Sequence, residues 1–465
     1  MFQKEVYWQR RKRLHELVGD GILLFPGNDE SAMNYKANTY HYRQDSSFLY
    51  FFGINQPGLA CVIDLDSGED ILYGDDLTID DIIWMGEHPL MKDLAVSAGL
   101  TLTKGYAELS ADIKDALKKG RKVHILPPYR GDHVLAYSNI LGCTVEEVNG
   151  FVSEEFIKAV VELRSVKDEF EIEEIRKAAD VAYIMHTTAM KMGFPGNFER
   201  ELAGAIEGIA LSHGGPVSFP VILSMDGQTL HNHDHSQELV EGRLVVTDAG
   251  AETPLGYASD ITRTFPVGGK FNARQKDIYQ IVLDANMEAI RNSRPGVKNL
   301  DLHLGAARTI ATGLKDLGIL KGNVEDIVRE GAHALFFPHG LGHMLGLDVH
   351  DMENLGEHYV GYGDGTVRSD QFGLAYLRMG RELKSGFVFT IEPGCYFIPP
   401  LIGLWKQEGK HTDFIDYTKA EEFIGLGGVR IEDDVLITDN GYDVLGTPIP
   451  KTIEEVEETM NSPTS

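Results

Sequence analysis

The chain contains few cysteines, no long apolar run and comparatively little positive charge. Its 465 residues include only Cys61, Cys143 and Cys395, an odd and sparse set that cannot form a disulfide framework and favours a reducing compartment. No stretch approaches the ~18 apolar residues that a membrane helix needs, and the charged N-terminus lacks the apolar segment of a secretion signal. We therefore expect a cytoplasmic protein that does not bind membranes.

The charge balance narrows the possible partners further. Lys and Arg number 43 against 71 Asp and Glu, which gives a formal net charge of -28. A surface of this sign repels phosphate groups, so nucleic acids and anionic membranes are poor partners. Part of the carboxylate excess is available to bind cations.

Length and apolar patterning indicate two domains. From residue 21 to residue 148, short apolar runs alternate with helical stretches, which is typical of a small α/β domain. A connecting helix is predicted over 153–163, and a longer unit of helices and hairpins follows. We place the domains at 1–155 and 156–455, and we expect an acidic, solvated tail at 456–465.

A long helix is predicted to open the second domain. Ser165 has the position of its cap, with Asp168 in the capping-box position, and Gly193 ends the pattern. Three further helices are predicted, one ending near residue 213 and two over 274–291 and 301–317.

The segment with the highest density of metal-binding residue types is HGLGHMLGLDVHD, residues 339–351. It contains His339, His343 and His350 with two aspartates, separated by three glycines. Each glycine disfavours a helix by roughly 1 kcal/mol, so the segment does not read as the helical zinc motif with two histidines four residues apart. We predict a looped or strand-like segment with only some of its histidines on metal.

Four carboxylates lie at or near the ends of predicted strands, namely Asp248, Asp260, Glu392 and Glu432. A single Asp in such a position is usually a turn or cap residue. If the four converge in the interior they need cations, because burying unpaired charges is very costly. Together with one neutral imidazole they carry four negative charges, which two divalent ions cancel. Oxygen-rich ligation without thiolate favours Mn²⁺, with Co²⁺, Fe²⁺ or Zn²⁺ as alternatives.

These motifs together resemble the pita-bread metallopeptidases, the group of methionine aminopeptidase, aminopeptidase P and prolidase. The segments occur in family order: TDAG at 247–250, SDITRTFP at 259–266, the histidine block at 339–351, TIEPG at 390–394 and VRIEDD at 429–434. YRQDSSF at 42–48 and FFG at 51–53 resemble the N-terminal domain of the Xaa-Pro branch, which methionine aminopeptidases lack. The resemblance implies an α+β pita-bread catalytic domain after a smaller α/β domain.

The resemblance also implies metal ligands. Asp248 would bind one ion, Asp260 and Glu432 would bridge both, and His343 with Glu392 would bind the other. Glu392 would in addition transfer a proton to the departing nitrogen.

Substrate contacts follow from the same resemblance. His350 would donate a hydrogen bond to the scissile carbonyl oxygen, and His339 would line the cleft. His231 matches the family histidine beside the substrate, although His233 in the same loop is an alternative. Arg430 would pair with the carboxylate cluster or contact the substrate.

Chain-length preference depends on Arg378. The segment LRMGREL at 377–383 resembles the prolidase segment whose arginine binds the terminal carboxylate of a dipeptide. We therefore expect an Xaa-Pro dipeptidase that acts on small peptides as a homodimer or homotetramer. The alternatives are an aminopeptidase P that acts on longer peptides and, remotely, a non-catalytic pita-bread binding protein or the metal-free creatinase type.

Overall fold

The structure is a computed structural model that describes residues 1–363 and 365–462. The chain divides into two compact units, Met1–Arg164 with Met352–Tyr359 and Ser165–Asp351 with Val360–Ser465. The predicted α+β class with a smaller α/β domain first is confirmed. The expected boundary at residue 155 falls at the start of a helix that the structure groups with the first unit. Residues 352–359 also belong to the first unit, and the local sequence does not predict this.

The first unit is built on a mixed five-stranded sheet. Its helices are α1 Lys4–Leu17, α2 Ser46–Phe52, α3 Ile79–Met85, α4 Met91–Ser97, α5 Leu109–Lys118, α6 Gly131–Leu141 and α7 Glu154–Ser165. Its strands are β1 Ile22–Pro26, β2 Ala32–Tyr35, β3 Asn38–Thr39, β4 Ala60–Asp64, β5 Glu69–Tyr73, β6 Leu102–Lys104 and β7 Val123–His124. The sheet order is β6-β5-β4-β1-β7, and β2 with β3 forms a separate hairpin.

Apolar strands of this sheet bury one face against α5 and α6. Leu24, Val62, Ile113 and Ile140 belong to one buried apolar cluster. Burial of each such side chain stabilises the fold by about 1.5–3 kcal/mol. The apolar runs in the sequence supply these buried side chains.

The second unit combines long helices with three small sheets. Its helices are α8 Glu169–Met192, α9 Glu199–Ser212, α10 Ala273–Asn292, α11 Asn299–Asp316, α12 Val324–Glu330, α13 Pro399–Gln407, α14 Tyr417–Glu421 and α15 Ile453–Asn461. Its strands are β8 Ile222–Ser224, β9 Leu244–Ala249, β10 Ile261–Pro266, β11 Val388–Ile391, β12 Gly394–Tyr396, β13 Gly428–Arg430, β14 Asp433–Thr438 and β15 Gly441–Val444. The sheet orders are β10-β9-β8, β11-β14-β15 and β12-β13. No helix among the described residues is both long and apolar enough to cross a membrane.

Two sequence-based expectations need correction. Ser165 ends α7 and does not cap the next helix, because Asp168 is the N-cap of α8 and its side chain accepts from the backbone of Glu171. Residues 456–461 of the expected solvated tail belong to α15, which buries Val456 and Met460. Only residues 463–465 of that expected tail lie outside the described residues.

The histidine block contains neither helix nor strand, as the glycines predicted. It runs antiparallel beside β11: the amide of Thr390 donates to the carbonyl of His343 at 2.9 Å, and Glu392 donates to Leu341 at 2.8 Å. A Cβ atom at Gly342 would lie 1.8 Å from the carbonyl oxygen of Thr390, so this close approach requires glycine. The pairing brings His343 to the same end of β11 as Glu392.

Candidate active site

One cavity of the second unit contains every residue that the sequence assigned to the site. It has a volume of about 660 Å³ and includes these predicted residues in its lining: His231, Asp248, Asp260, His339, His343, His350, Arg378, Glu392, Arg430 and Glu432. The residues come from segments far apart in the chain. The fold therefore assembles the site from separate strand ends and loops.

The strand registers bring the carboxylates together. Asp248 lies in β9 opposite Thr262 of β10, and Asp260 immediately precedes β10. Glu432 follows β13, and its backbone amide donates to the carbonyl of Thr262 at 3.0 Å. Each carboxylate thus lies where a strand begins or ends at the cavity.

Three groups of side chains have ligand atoms close enough to hold metal ions. Asp248, Asp260 and Glu432 form the first group, and His343, Glu392 and Glu432 form the second. These two groups contain the five predicted ligands, and they share Glu432. Nε2 of His343 lies 3.3 Å from Oδ2 of Asp260 and 3.6 Å from Oε1 of Glu392.

The third group is Asp260, His343 and His350. The rings of His343 and His350 are 3.9 Å apart between centroids. His350 is therefore within reach of the same position as His343, although the sequence assigned it to the substrate. His339 and His231 belong to no such group among the described residues.

The electrostatics of the cluster favour cations. Burial raises the pKa of Asp260 and Glu432 well above the ordinary range, and repulsion between neighbouring carboxylates raises it further. Burial also raises the pKa of Glu392 to about 7. Oδ1 of Asp248 is buried without a hydrogen-bond partner among the described residues. Buried carboxylates that repel one another and leave an oxygen unsatisfied fit a site for divalent ions.

Arg430 links this cluster to the cavity wall. Its Nη2 donates to Oδ2 of Asp248 at 2.6 Å, and its Nε donates to the hydroxyl of Thr262 at 3.0 Å. Its Nη1 donates to the hydroxyl of Tyr396 at 3.0 Å. Arg430 was expected either to pair with the carboxylates or to contact the substrate. The hydrogen bond to Asp248 agrees with the first role.

The sequence analysis did not single out Tyr396 and Thr262, whose hydroxyls both accept hydrogen bonds from Arg430. The hydroxyl of Thr262 donates to Oε2 of Glu432 at 2.7 Å, so this residue lies between a carboxylate and Arg430. Tyr396 is fully buried and its hydroxyl lies 2.9 Å from Nε2 of His339. Neither differs in the sequence from an ordinary strand residue, and only the tertiary contacts identify them.

The protonation state of His339 follows from its partners. Its Nδ1 lies 2.8 Å from the carbonyl of Gly340, which can only accept, so Nδ1 carries the proton and Nε2 accepts from Tyr396. Burial, with the charge of Arg430, lowers the pKa of His339 to about 3. The ring is therefore neutral at physiological pH.

The loop after β8 contributes two histidines to the cavity. His231 and His233 both line it, and a ring nitrogen of His233 lies 3.2 Å from the carbonyl of Val221. Burial, and then the charge of Arg430, lowers the pKa of His231. Apolar side chains complete the lining, including Phe219, Ile222, Phe372, Ile398 and Leu401.

Comparison with known proteins identifies the family. The model of metallopeptidase family M24 matches residues 173–439, and that of the aminopeptidase P N-terminal domain matches residues 7–126. The chain is 34% identical to a probable Xaa-Pro aminopeptidase of Aspergillus clavatus, over 90% of this chain and 88% of that protein. It is 31% identical to the human Xaa-Pro dipeptidase, over 97% of this chain and 91% of that protein.

A solved structure has the same architecture over the whole chain. Zinc-substituted Escherichia coli aminopeptidase P, in complex with product, superposes with a TM-score of 0.81 at 31% identity, over 99% of this chain and 98% of that chain. The fold, the order of the motifs and both domain matches agree. The chain belongs to metallopeptidase family M24, in its Xaa-Pro branch.

Proposed function

We propose that this protein is a dinuclear metallopeptidase that hydrolyses Xaa-Pro bonds at the N-terminus of short peptides. The observation that carries the proposal is the convergence of Asp248, Asp260, His343, Glu392 and Glu432 in one cavity. Relatives named Xaa-Pro aminopeptidase and Xaa-Pro dipeptidase, at similar identity, support the substrate class.

These five side chains would hold two divalent ions, with Asp260 and Glu432 shared between them. The ions would polarise the scissile carbonyl and lower the pKa of a bound water. We propose Mn²⁺ as the native ion, because four carboxylates with a single imidazole suit it better than a structural zinc. Co²⁺, Fe²⁺ and Zn²⁺ are the alternatives.

The other polar side chains of the cavity would handle the substrate. His350 would donate a hydrogen bond to the carbonyl oxygen as negative charge develops on it, and His231 and His339 would line the bound peptide. Glu392 would transfer a proton to the departing nitrogen. Arg430 would hold Asp248 in position.

A proline in the second position makes a specialised site necessary. The Xaa-Pro bond is a tertiary amide whose nitrogen has no hydrogen, so the enzyme cannot hold the substrate through that group. The free α-amino group of the substrate is drawn to the acidic cluster. The apolar wall offers the proline ring a surface to pack against.

We further propose a preference for dipeptides, which rests on Arg378. This arginine lines the same cavity as the carboxylates. A bidentate pair with the free carboxylate of proline would favour dipeptides, because in longer peptides that carbonyl is an uncharged amide. The alternative is an aminopeptidase P that acts on longer peptides.

The decisive experiment measures hydrolysis of a dipeptide and a tripeptide by the wild type, by Arg378→Ala and by a control variant. A charge-assisted contact is worth about 1.5–3 kcal/mol, so Arg378→Ala should lower kcat/KM for an Xaa-Pro dipeptide by ~10–150-fold. An Xaa-Pro-Yaa tripeptide should lose far less. Arg368→Ala is the matched control, since its guanidinium binds the carbonyl of Ala375 in the same long loop and does not line the cavity. Equal losses on both substrates, or a wild-type preference for tripeptides, would favour the aminopeptidase.

We also propose that the protein acts in the cytoplasm as a homodimer or homotetramer. Self-association is supported by α3, where Ile79, Ile83 and Trp84 are 73%, 70% and 87% exposed. Light scattering should give a mass of two or four chains, and Ile83→Glu should reduce it. A wild-type protein that stays monomeric at micromolar concentration would contradict the proposal.

A further inference from the structure

A cluster of polar side chains contacts the backbone beside two of the carboxylates. We call it the rear cluster, and it consists of Arg263, Asn286, Asp433 and Lys451. Arg263, Asn286 and Asp433 are buried, and the side chain of Lys451 is 17% exposed. None of the four lines the cavity, so the proposed reaction gives them no direct role.

Three ionic and polar contacts join the cluster internally. Nζ of Lys451 donates to Oδ2 of Asp433 at 2.7 Å and to Oδ1 of Asn286 at 3.0 Å. Nη2 of Arg263 donates to Oδ1 of Asp433 at 2.7 Å. Each carboxylate oxygen of Asp433 therefore has a cationic donor, which offsets the cost of burying this charge.

The cluster also binds the backbone next to two metal ligands. Nδ2 of Asn286 donates to the carbonyls of Ile391 at 3.1 Å and Ile431 at 3.3 Å. These residues directly precede Glu392 and Glu432. Nη1 of Arg263 donates to the carbonyl of Glu432 itself at 2.6 Å. A single buried network thus holds the backbone from which both glutamates project.

Lys451 and the two backbone carbonyls together fix the orientation of the Asn286 amide. An ammonium group can only donate, so the oxygen of the amide must face Lys451 and its NH₂ group must face the two carbonyls. Without that ammonium group, the amide oxygen of Asn286 loses the cationic donor that holds the side chain in place. One side chain that follows β15 therefore acts on two strand ends at the metal site.

We propose that the rear cluster, through Lys451, is a positioning device for the metal ligands Glu392 and Glu432. This inference rests on the proposed metal site and goes beyond it. Partners of metal ligands typically contribute ~10–100-fold to metal affinity. We expect Lys451→Met, which keeps the length of the side chain and removes the charge, to weaken Mn²⁺ binding by that factor.

The control must separate ligand positioning from docking of the C-terminal helix. Lys276 of α10 pairs with Glu457 of α15 at 3.1 Å, and among the described residues no hydrogen bond or ion pair joins it to the rear cluster. Lys276→Met therefore disturbs the same helix without touching Asn286 or Asp433. Its Mn²⁺ affinity should equal that of the wild type.

The experiment titrates Mn²⁺ into metal-free wild type, Lys451→Met and Lys276→Met by calorimetry. The visible absorption of the Co²⁺-loaded proteins and their thermal midpoints are recorded in parallel. The proposal expects weaker binding and an altered Co²⁺ spectrum for Lys451→Met alone, with partial recovery in Lys451→Arg. Unchanged affinity in Lys451→Met, or equal losses in both Met variants, would overturn it.

A second variant covers the case in which Lys451→Met does not fold. Asn286→Leu keeps the ionic contacts of Asp433 and removes the two hydrogen bonds to the backbone, and it should lower metal affinity in the same way. If neither variant folds, the cluster serves folding alone and the proposal fails. A wild-type protein that binds no divalent ion would refute the metal site as well, whereas equal affinity in folded variants refutes only the positioning role.

Discussion

At the scale of single residues, the site depends on which side chains hold metal and which hold substrate. The five side chains predicted as metal ligands converge in one cavity, and the sequence could single them out because their motifs occur together in one order: Asp248, Asp260, His343, Glu392 and Glu432. The position of His350 beside His343 and Asp260 is a feature of the structure that the motif does not convey. Because of this proximity, an experiment must decide whether His350 binds metal or contacts the substrate.

The first prediction concerns His350→Ala. If the side chain only stabilises the oxyanion, the variant should keep its metal content while kcat falls by ~10²–10³. Metal analysis and steady-state kinetics on an Xaa-Pro dipeptide measure the two effects separately. Replacement of the exposed His213 is the control and should change neither quantity. Loss of metal in the variant, with normal turnover once the ion is restored, would make His350 a ligand instead.

A second prediction concerns a buried histidine outside the site. His303 is fully buried and stacks on Phe337, with ring centroids 5.1 Å apart. Burial, together with the charges of His333 and His339, lowers the pKa of His303 to about 3. Its ring is neutral in the folded chain but gains a proton near pH 6.5 when unfolded. The free energy of unfolding is therefore unaffected by His303 above pH 6.5. It decreases progressively as the pH falls below that value, because only the unfolded chain takes up the proton.

His303→Leu should make stability less sensitive to acid. Between pH 6.5 and pH 5 the linkage amounts to about 2 kcal/mol, so the drop in thermal midpoint over this interval should be smaller in the variant. Differential scanning calorimetry at both values measures the two drops. An unchanged pH dependence would mean that His303 is protonated in the folded chain.

At the scale of secondary-structure elements, local patterns predicted the long helices of the second unit but not the long-range partners of those helices. The helices α9, α10 and α11 lie close to their predicted bounds because apolar spacing and caps are local signals. For α15, Ile453, Val456 and Met460 repeat at helical spacing after the capping box of Thr452 and Glu455, and the acidic composition concealed this signal. Tyr396 and the rear cluster could not be predicted, since their roles depend on contacts between distant segments.

The pairing of the histidine block with β11 leads to a third prediction. In Gly342→Ala the new Cβ would collide with the carbonyl of Thr390, which must move His343 away from Glu392. We expect lower metal affinity and a lower thermal midpoint. Gly208→Ala is the control, because nothing lies within 4 Å of the added atom in α9. That change should be neutral or stabilise the protein by about 0.5–1 kcal/mol. Normal metal affinity in Gly342→Ala would show that this close approach does not position His343.

At the scale of the whole molecule, the family assignment and the lining of the cavity both indicate a metallopeptidase. Both domain matches, together with relatives and a solved structure that span nearly the whole chain, support the two-domain architecture of the Xaa-Pro branch. Within that architecture, the excess of negative charge in the sequence has a local counterpart in the buried carboxylates of the site. Ions held by side chains that converge only in the folded chain would stabilise it, so we expect divalent ions to raise stability as well as to support activity.

The measurement that tests the central claim most directly combines metal content with turnover. The wild type and Asp260→Ala are stripped with a chelator, and Mn²⁺ is then added back while bound ions per chain and hydrolysis of an Xaa-Pro dipeptide are followed. We predict that the stripped wild type is inactive, that it regains activity as it takes up two ions per chain, and that Asp260→Ala regains neither full occupancy nor activity. Hydrolysis by the stripped protein, or full activity in Asp260→Ala, would contradict the dinuclear account.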